Sequence, residues 1–189
     1  MKKELGPIPT YQLKVTIADI RPPIWRRLQV RGDVTLFKLH KILQAAMEWQ
    51  DYHLHQFIVG EDYYAIPSPD DAWPREAKNE KRAKLFQVAP AEKARFTYEY
   101  DFGDSWRHKI LVEKILHPEL ELEHPVCLAG KRSRPPEDCG GVGGYEEFLE
   151  IISDPKHPEH EDTLVWAGEE IDPERFDKEE INRLLSKIR

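Results

Sequence analysis

Alternation of apolar and polar residues predicts three strands in the first 60 residues. Residues 11–17, YQLKVTI, alternate strictly, which is typical of a half-buried strand. Residues 24–30 predict a second strand, which forms a hairpin with the first across an irregular connection that contains the Arg-Pro-Pro run at residues 21–23. Residues 53–60 predict a third strand.

Apolar residues spaced three and four apart predict the helices. The clearest amphipathic helix covers residues 35–49, and Asp33 or Thr35 supplies its N-cap. Residues 145–152 predict a short helix. Residues 177–188 predict a C-terminal helix that starts with a capping box.

The order of these elements predicts the fold class. Residues 95–116 form a second predicted hairpin, whose turn is the polar, glycine-containing segment 101–105. The whole order predicts an α+β fold: a mixed, mainly antiparallel sheet of two hairpins and one strand, one helix packed on it, and a helical C-terminal part. The first half has a β-grasp-like element order, which is an analogy of order and implies no function.

We expect a single α+β domain over residues 1–189, because this length is typical of one domain. Residues 10–116 supply the sheet and the helix, residues 117–144 an irregular loop, and residues 145–189 an acidic helical tail. Residues 66–84 are rich in Pro, Asp and Lys, and they predict a long loop.

The charge of the chain narrows the range of partners. Its 28 Lys and Arg residues and 35 Asp and Glu residues give a net charge of −7, which argues against duplex DNA held on a broad basic face. The balance is +3 over residues 1–116 and −10 over residues 117–189. Four arginines near the start are expected to pair with this acidic rear part: Arg21, Arg26, Arg27 and Arg31.

Neither a membrane span nor a secretory signal is predicted. The sequence has no run of about 18 apolar residues, and its first 15 residues lack the apolar core of a signal peptide. Two cysteines, Cys127 and Cys139, cannot form a disulfide scaffold. We therefore expect a cytoplasmic protein with no membrane partner.

Two histidines on the third predicted strand form a candidate metal site. His53 and His55 are two residues apart, so both would point the same way and could chelate one divalent metal, the candidate cofactor. The candidate further ligands are Asp101, Asp104, His108, Cys127 and Cys139. The alternative is that His55 packs in the sheet, His53 caps its edge, and the two aspartates form the turn.

A glycine-rich segment before the predicted helix at 145–152 is a second chemical feature. Free amides at that helix start could hold an anion or an oxyanion, and a nearby histidine could activate Cys139 as a nucleophile. The alternative is a glycine-dependent loop that fastens the acidic tail to the sheet. The candidate ligand-binding residues are Trp25, Arg26, Trp106, Glu137, Asp138, Cys139, Gly140 and Gly141.

Seven motifs follow one another along nearly the whole chain. They are DIRPPIWRR (19–27), TLFKLHKILQAAMEW (35–49), HLHQF (53–57), YEYDFGDSWRHKI (98–110), PVCLAG (125–130), PPEDCGGVGGY (135–145) and WAGEEIDPERFD (166–177). This ordered set resembles the plasmid pRiA4b ORF-3-like family, some of whose members are labelled passenger proteins of an insertion element. The resemblance implies a bacterial or archaeal origin, a single α+β domain and no established activity.

Three functions stay open from the sequence. The favoured one is a non-catalytic binding module, linked to plasmids or mobile elements, that holds a protein segment or a small ligand. The second is a metal- or thiolate-dependent hydrolase or nuclease-like enzyme. The third is a nucleic-acid accessory factor of a mobile element, which the family label supports and the net charge opposes. No catalytic motif has the required residue types and spacing, so enzyme activity is undecided.

Overall fold

The computed structural model describes residues 8–66, 77–117, 122–168 and 172–188. Its strands are β1 (Thr10–Ile17), β2 (Trp25–Arg31), β3 (His55–Val59), β4 (Asp62–Ala65), β5 (Lys78–Asn79), β6 (Arg95–Tyr100), β7 (Trp106–Leu116) and β8 (Val126–Lys131). Its helices are α1 (Leu36–Met47), α2 (Leu85–Val88), α3 (Gly141–Ser153), α4 (His160–Ala167) and α5 (Lys178–Leu185). None of the helices within these ranges is long and apolar enough to cross a bilayer.

All eight strands join one sheet in the order β5-β4-β3-β6-β7-β1-β2-β8. Every pair is antiparallel except β4 with β5, which confirms the predicted mixed, mainly antiparallel α+β fold. Both predicted hairpins are present, and they lie side by side because β1 pairs with β7. The strand after α1 is β3, and the β6–β7 hairpin separates it from β1. The likeness to a β-grasp fold is therefore one of element order only.

Thr35, one of the two predicted caps, begins helix α1. Its side chain accepts a hydrogen bond from the Lys38 amide.

Apolar packing attaches the acidic tail to the rest of the molecule. Helix α5 packs against α1 and β8, and its Ile181 and Leu185 side chains are fully buried. Burial of such side chains stabilises the folded state by roughly 1.5–3 kcal/mol each, so attraction between charges is not needed to hold α5 against α1 and β8.

The prediction that the early arginines pair with the acidic rear part is wrong for Arg27, and Arg31 has an acidic partner close to it in the chain. The Arg27 Nε atom lies 2.6 Å from Glu113 Oε2, and the Arg31 Nε atom lies 3.0 Å from Asp33 Oδ1. Both carboxylates belong to residues 1–116. Glu113 lies on β7 of the same sheet as Arg27, and Asp33 follows Arg31 in the turn after β2, so Arg27 has a carboxylate within reach without the acidic tail.

Two elements have no hydrophobic pattern that could predict them. Residues 117–144 were expected to be irregular, but β8 pairs with β2 there. Gly130 of β8 lies against Phe176 and the Arg26 side chain, which leaves no room for an apolar side chain at that position. Helix α4 has no apolar stripe because none of its side chains is buried. Much of the predicted loop at 66–84 falls on residues 67–76, outside the described residues.

Arg26, a predicted ligand-binding residue, is instead a structural group of the core. Its side chain is completely buried. The guanidinium donates hydrogen bonds to the carbonyl oxygens of Ala46, at 3.0 Å, and Arg132, at 2.8 Å, and so joins α1 to the segment after β8. The Phe176 ring covers it at 5.0 Å. A guanidinium enclosed in this way satisfies buried backbone acceptors and has no exposed surface.

His108 and Trp106, also predicted site residues, have no exposed surface. The His108 Nε2 atom accepts a hydrogen bond from Trp49 Nε1 at 3.2 Å, and His108 Nδ1 donates to the Trp106 carbonyl at 2.9 Å. This pattern uses both ring nitrogens of a neutral imidazole and leaves no lone pair for a metal. Burial lowers the pKa of His108 to about 4.

Replacing Arg26 with methionine should lower the free energy of unfolding by about 3 kcal/mol, because buried carbonyl oxygens would lose their donors. Arg27→Met is the matched control, since Arg27 is partly exposed and paired across the sheet face. We expect the control to change the free energy by less than about 1 kcal/mol. Urea unfolding measures both values, and equal losses in the two variants would contradict the structural role of Arg26.

Acid should weaken the fold through His108. Its pKa is lower in the folded state than in the unfolded state, so the unfolded chain binds more protons as the pH falls below about 6.5. Between about pH 7 and pH 4, the wild type should lose on the order of 2–3 kcal/mol more stability than His108→Gln. Replacing the exposed His117 with glutamine should keep the wild-type pH dependence. Parallel stability–pH curves for the wild type and His108→Gln would refute the assignment.

Candidate metal centre

Three loops meet beyond one end of the sheet. Strands β3 and β6 pair antiparallel with His55 opposite Tyr100, so the segment before β3 lies beside the segment after β6. The first of these segments carries His53, and the second carries Asp101. The third loop lies between β8 and α3, and its Gly140 amide donates a hydrogen bond to Asp104 Oδ2 at 3.1 Å. The structure therefore brings together the three sequence stretches that hold most of the candidate site residues.

One histidine and three carboxylates converge where these loops meet. The His53 Nε2 atom lies 3.1 Å from Asp138 Oδ1, 3.7 Å from Asp101 Oδ2 and 3.9 Å from Glu137 Oε2. Ligand atoms of His53, Asp101 and Asp138 all lie within 4.8 Å of one another, close enough to share one metal ion. We call these three residues, together with Glu137, the His53 cluster.

Two atoms of the His53 cluster are buried without a hydrogen-bond partner in the described part of the chain. They are His53 Nε2 and Glu137 Oε2. The short approach of Asp138 to His53 does not have hydrogen-bond geometry, and the Glu137 side chain is only 9% exposed. Unpaired buried polar atoms cost about 1–3 kcal/mol each, so two that face one another indicate a place for a ligand.

Hydrogen bonds from neighbouring groups fix the position of Glu137. Its Oε1 atom accepts from the Gln50 amide at 2.9 Å and from the Tyr100 hydroxyl at 3.3 Å. Tyr100 accepts in turn from the Tyr52 amide at 3.0 Å. Burial, with the nearby Glu137 charge, raises the pKa of Tyr100, so its hydroxyl keeps the proton that it donates. These contacts leave Glu137 Oε2 directed at His53.

The backbone positions Asp101 and Asp138 through an uncommon conformation. Both residues have a positive φ, 56° at Asp101 and 58° at Asp138, in the left-handed region that Asp tolerates better than most residues. Asp101 Oδ1 also accepts from the Gly103 amide at 2.9 Å. Its Oδ2 atom therefore faces His53 from a fixed turn.

The His53 cluster borders a cleft of about 680 Å³. Glu137 and Asp138 belong to both, and Trp166 lines the cleft with an exposed ring. Among the described lining residues, the charged groups are four carboxylates and two guanidinium groups, a negative balance: Glu48, Glu137, Asp138, Asp172, Arg134 and Arg175. Both arginines already have partners, because Arg134 donates to the Glu48 carbonyl at 2.8 Å and Arg175 lies 3.6 Å from Glu180.

The glycine loop before α3 contacts protein groups of its own. Gly140 caps α3 and donates its amide to Asp104, while the backbone oxygen of Asp104 lies 2.6 Å from the place where a Cβ of Gly141 would be. Burial raises the pKa of Cys139 to about 12, so the thiol stays protonated at neutral pH. These contacts support the loop as a fastening of α3 to the turn at Asp104, and they do not favour thiolate chemistry.

The remaining candidates lie away from the His53 cluster. Trp25 is on the open face of the sheet, where Lys14 Nζ and Arg27 Cζ lie 5.2 Å and 5.3 Å from its ring centre. His55 does not belong to the His53 cluster: His53 lies in a bend before β3, so the alternation of the strand does not extend to it. The His55 ring stacks instead on His40, at 3.5 Å between centroids.

Comparisons with other proteins agree with the fold and give no activity. The model of the plasmid pRiA4b ORF-3-like protein family matches residues 9–180. The uncharacterized protein y4hQ of Sinorhizobium fredii (strain NBRC 101917 / NGR234) is 38% identical over 158 residues, which cover 83% of this chain and 80% of that protein. The crystal structure of MM3350, a protein of unknown function from Methanosarcina mazei Go1, is similar with a TM-score of 0.79 and 43% identity, covering 92% of this chain and 97% of that one.

Both the ordered motifs and the extent of the family match lead to one conclusion: this chain belongs to the plasmid pRiA4b ORF-3-like protein family.

Proposed function

We propose that the protein is a binding module that holds one divalent cation in the His53 cluster, in the wall of the acidic cleft. The observation that carries this proposal is a pair of buried atoms, His53 Nε2 and Glu137 Oε2, which lie 3.9 Å apart and have no hydrogen-bond partner among the described residues. An ion between them would satisfy both atoms and balance the surrounding carboxylates.

The ligand set favours an ion that accepts both nitrogen and oxygen. One imidazole and three carboxylates suit Mn²⁺ better than softer ions, which prefer sulfur. Ligand atoms placed about 2.1 Å from a common centre lie roughly 3–3.5 Å apart, close to the 3.1–3.9 Å distances around His53 Nε2. Small shifts of the carboxylates would complete the coordination.

The cleft supplies room for a second ligand beside the ion. Its volume of about 680 Å³ is typical of sites for small organic molecules. A metal ion in the wall would offer its remaining coordination positions to an oxygen of a small molecule or of a protein segment. The exposed Trp166 ring provides an apolar surface next to them.

Metal-dependent hydrolysis is the second candidate function. It is favoured by the position of Glu137 and Asp138, which belong to both the His53 cluster and the cleft. An ion there would act as a Lewis acid on a substrate in the cleft. Hydrolysis of bis(p-nitrophenyl) phosphate by Mn²⁺-loaded protein, lost in His53→Gln, would favour this function over binding alone. A link to plasmids or mobile elements rests on the family description.

Chelator-treated protein should bind Mn²⁺, and Asp138→Asn should weaken that binding about tenfold or more, because the neutral amide is a poorer ligand. Asn tolerates the left-handed backbone of this exposed position, so the variant should fold. His53→Gln should have the same effect. Titration with detection of free Mn²⁺ by electron paramagnetic resonance measures the affinity.

Two control variants distinguish the loss of a metal-coordinating side chain from the loss of any carboxylate or any histidine. Asp19→Asn changes another exposed aspartate with a positive φ, and His117→Gln removes an exposed histidine. Both should bind Mn²⁺ as the wild type does, and circular dichroism should show that all variants are folded. The proposal fails if the wild type binds no Mn²⁺, or if Asp138→Asn binds it with unchanged affinity.

A further inference from the structure

A second group of potential metal-ligating side chains surrounds His55 and is separate from the His53 cluster. Its four members come from four separate elements: His40 from α1, Asp51 from the loop after α1, His55 from β3 and Glu80 from the turn after β5. None of them belongs to the His53 cluster. We call this group the His40 cluster.

Each imidazole of the His40 cluster directs its Nε2 atom at a carboxylate. His40 Nε2 lies 3.0 Å from Asp51 Oδ1, and His55 Nε2 lies 3.1 Å from both oxygens of Glu80. The two rings are parallel within 2°. Ligand atoms of His40, Asp51 and His55 lie within 4.8 Å of one another. Glu80 is outside this group of three and contacts His55 alone, and together the two imidazoles and two carboxylates form a donor set typical of zinc.

Burial makes the charge of this cluster costly without a cation. Glu80 has no exposed surface, and its only ionic partner in the described chain is His55. The ionised carboxylates of Asp51 and Glu80 carry a charge of two minus, and a divalent ion in the cluster would balance both charges.

A hydroxyl group behind His40 can set the tautomer that a metal requires. His40 Nδ1 lies 2.8 Å from the Tyr98 hydroxyl, which also accepts a hydrogen bond from Gln44 Nε2 at 2.9 Å. When His40 Nδ1 donates its proton to Tyr98, the Nε2 lone pair is free to bind a metal. An ion bound by both Nε2 atoms lies near both ring planes, so the rings would tilt out of their parallel stack.

We propose that the His40 cluster is a second metal site, which binds Zn²⁺ through His40, Asp51, His55 and Glu80. Asp51 is the ligand at the surface, with about half of its side chain exposed. The ion would enter on that side, since the other three side chains are at least nine-tenths buried. The site would join α1 to β3 and to the turn after β5.

The test uses the full chain with the His53 cluster weakened by Asp138→Asn. This variant should bind one equivalent of Zn²⁺, measured by competition with a colorimetric zinc indicator. Adding Asp51→Asn should weaken that binding about tenfold or more. Asn fits the positive φ of 58° at Asp51, so the double variant should fold, whereas changes at the buried histidines carry a risk of misfolding. Adding Asp19→Asn instead is the matched control and should leave Zn²⁺ binding unchanged.

A spectroscopic readout identifies the ligands directly. Binding of Zn²⁺ to the Asp138→Asn variant should shift the ¹⁵N resonances of the His40 and His55 Nε2 atoms and leave that of His53 in place. The inference fails if the Asp138→Asn variant binds no Zn²⁺, if Asp51→Asn does not weaken the binding, or if the two histidine resonances do not move. Loss of Mn²⁺ binding in Asp138→Asn is measured separately, so either proposal can fail alone.

Discussion

Two buried tyrosine hydroxyls on the central strand β6 determine where polar groups can enter the core. Tyr98 and Tyr100 are fully buried and point to the side of the sheet that α1 covers. A buried hydroxyl must find hydrogen-bond partners inside the protein, because leaving it unpaired costs free energy. Tyr98 finds them in Gln44 and His40, and Tyr100 finds them at Glu137 and at the backbone before β3. Each cluster of potential metal ligands is therefore held by one phenol of the same strand.

Much of the fold could be predicted because burial leaves a regular trace in the sequence. The hairpins β1–β2 and β6–β7 alternate between buried and partly exposed side chains, and α1 buries one stripe, so their patterns identify them. Elements that bury little leave no such trace, and α4, with no buried side chain, is an example. Strand β8 could not be recognised from its sequence for a different reason: Gly130 stands where an apolar side chain would complete the pattern, because the side chains of Arg26 and Phe176 fill that space.

The candidate sites were predictable only in part. His53, Asp101 and Asp138 were identified by residue type, and their segments do meet. The pairing of His53 with His55 was wrong, because the predicted strand began two residues before β3 does. The His40 cluster was missed, although a histidine within the apolar stripe of α1 was a readable signal. Glu80 gave no signal at all, because it lies in a stretch without periodicity. Pairing across the sheet, not local spacing, decides which side chains become neighbours.

The His53 cluster takes its members from loops that are distant along the chain, at residues 53, 101, 137 and 138. Such a constellation does not exist in the unfolded polypeptide, so an ion that binds it recognises the native state alone. By mass action, each tenfold rise of free ion above its dissociation constant then adds about 1.4 kcal/mol to native stability. The supply of metal in the surroundings would thereby add to the resistance of the native protein to unfolding.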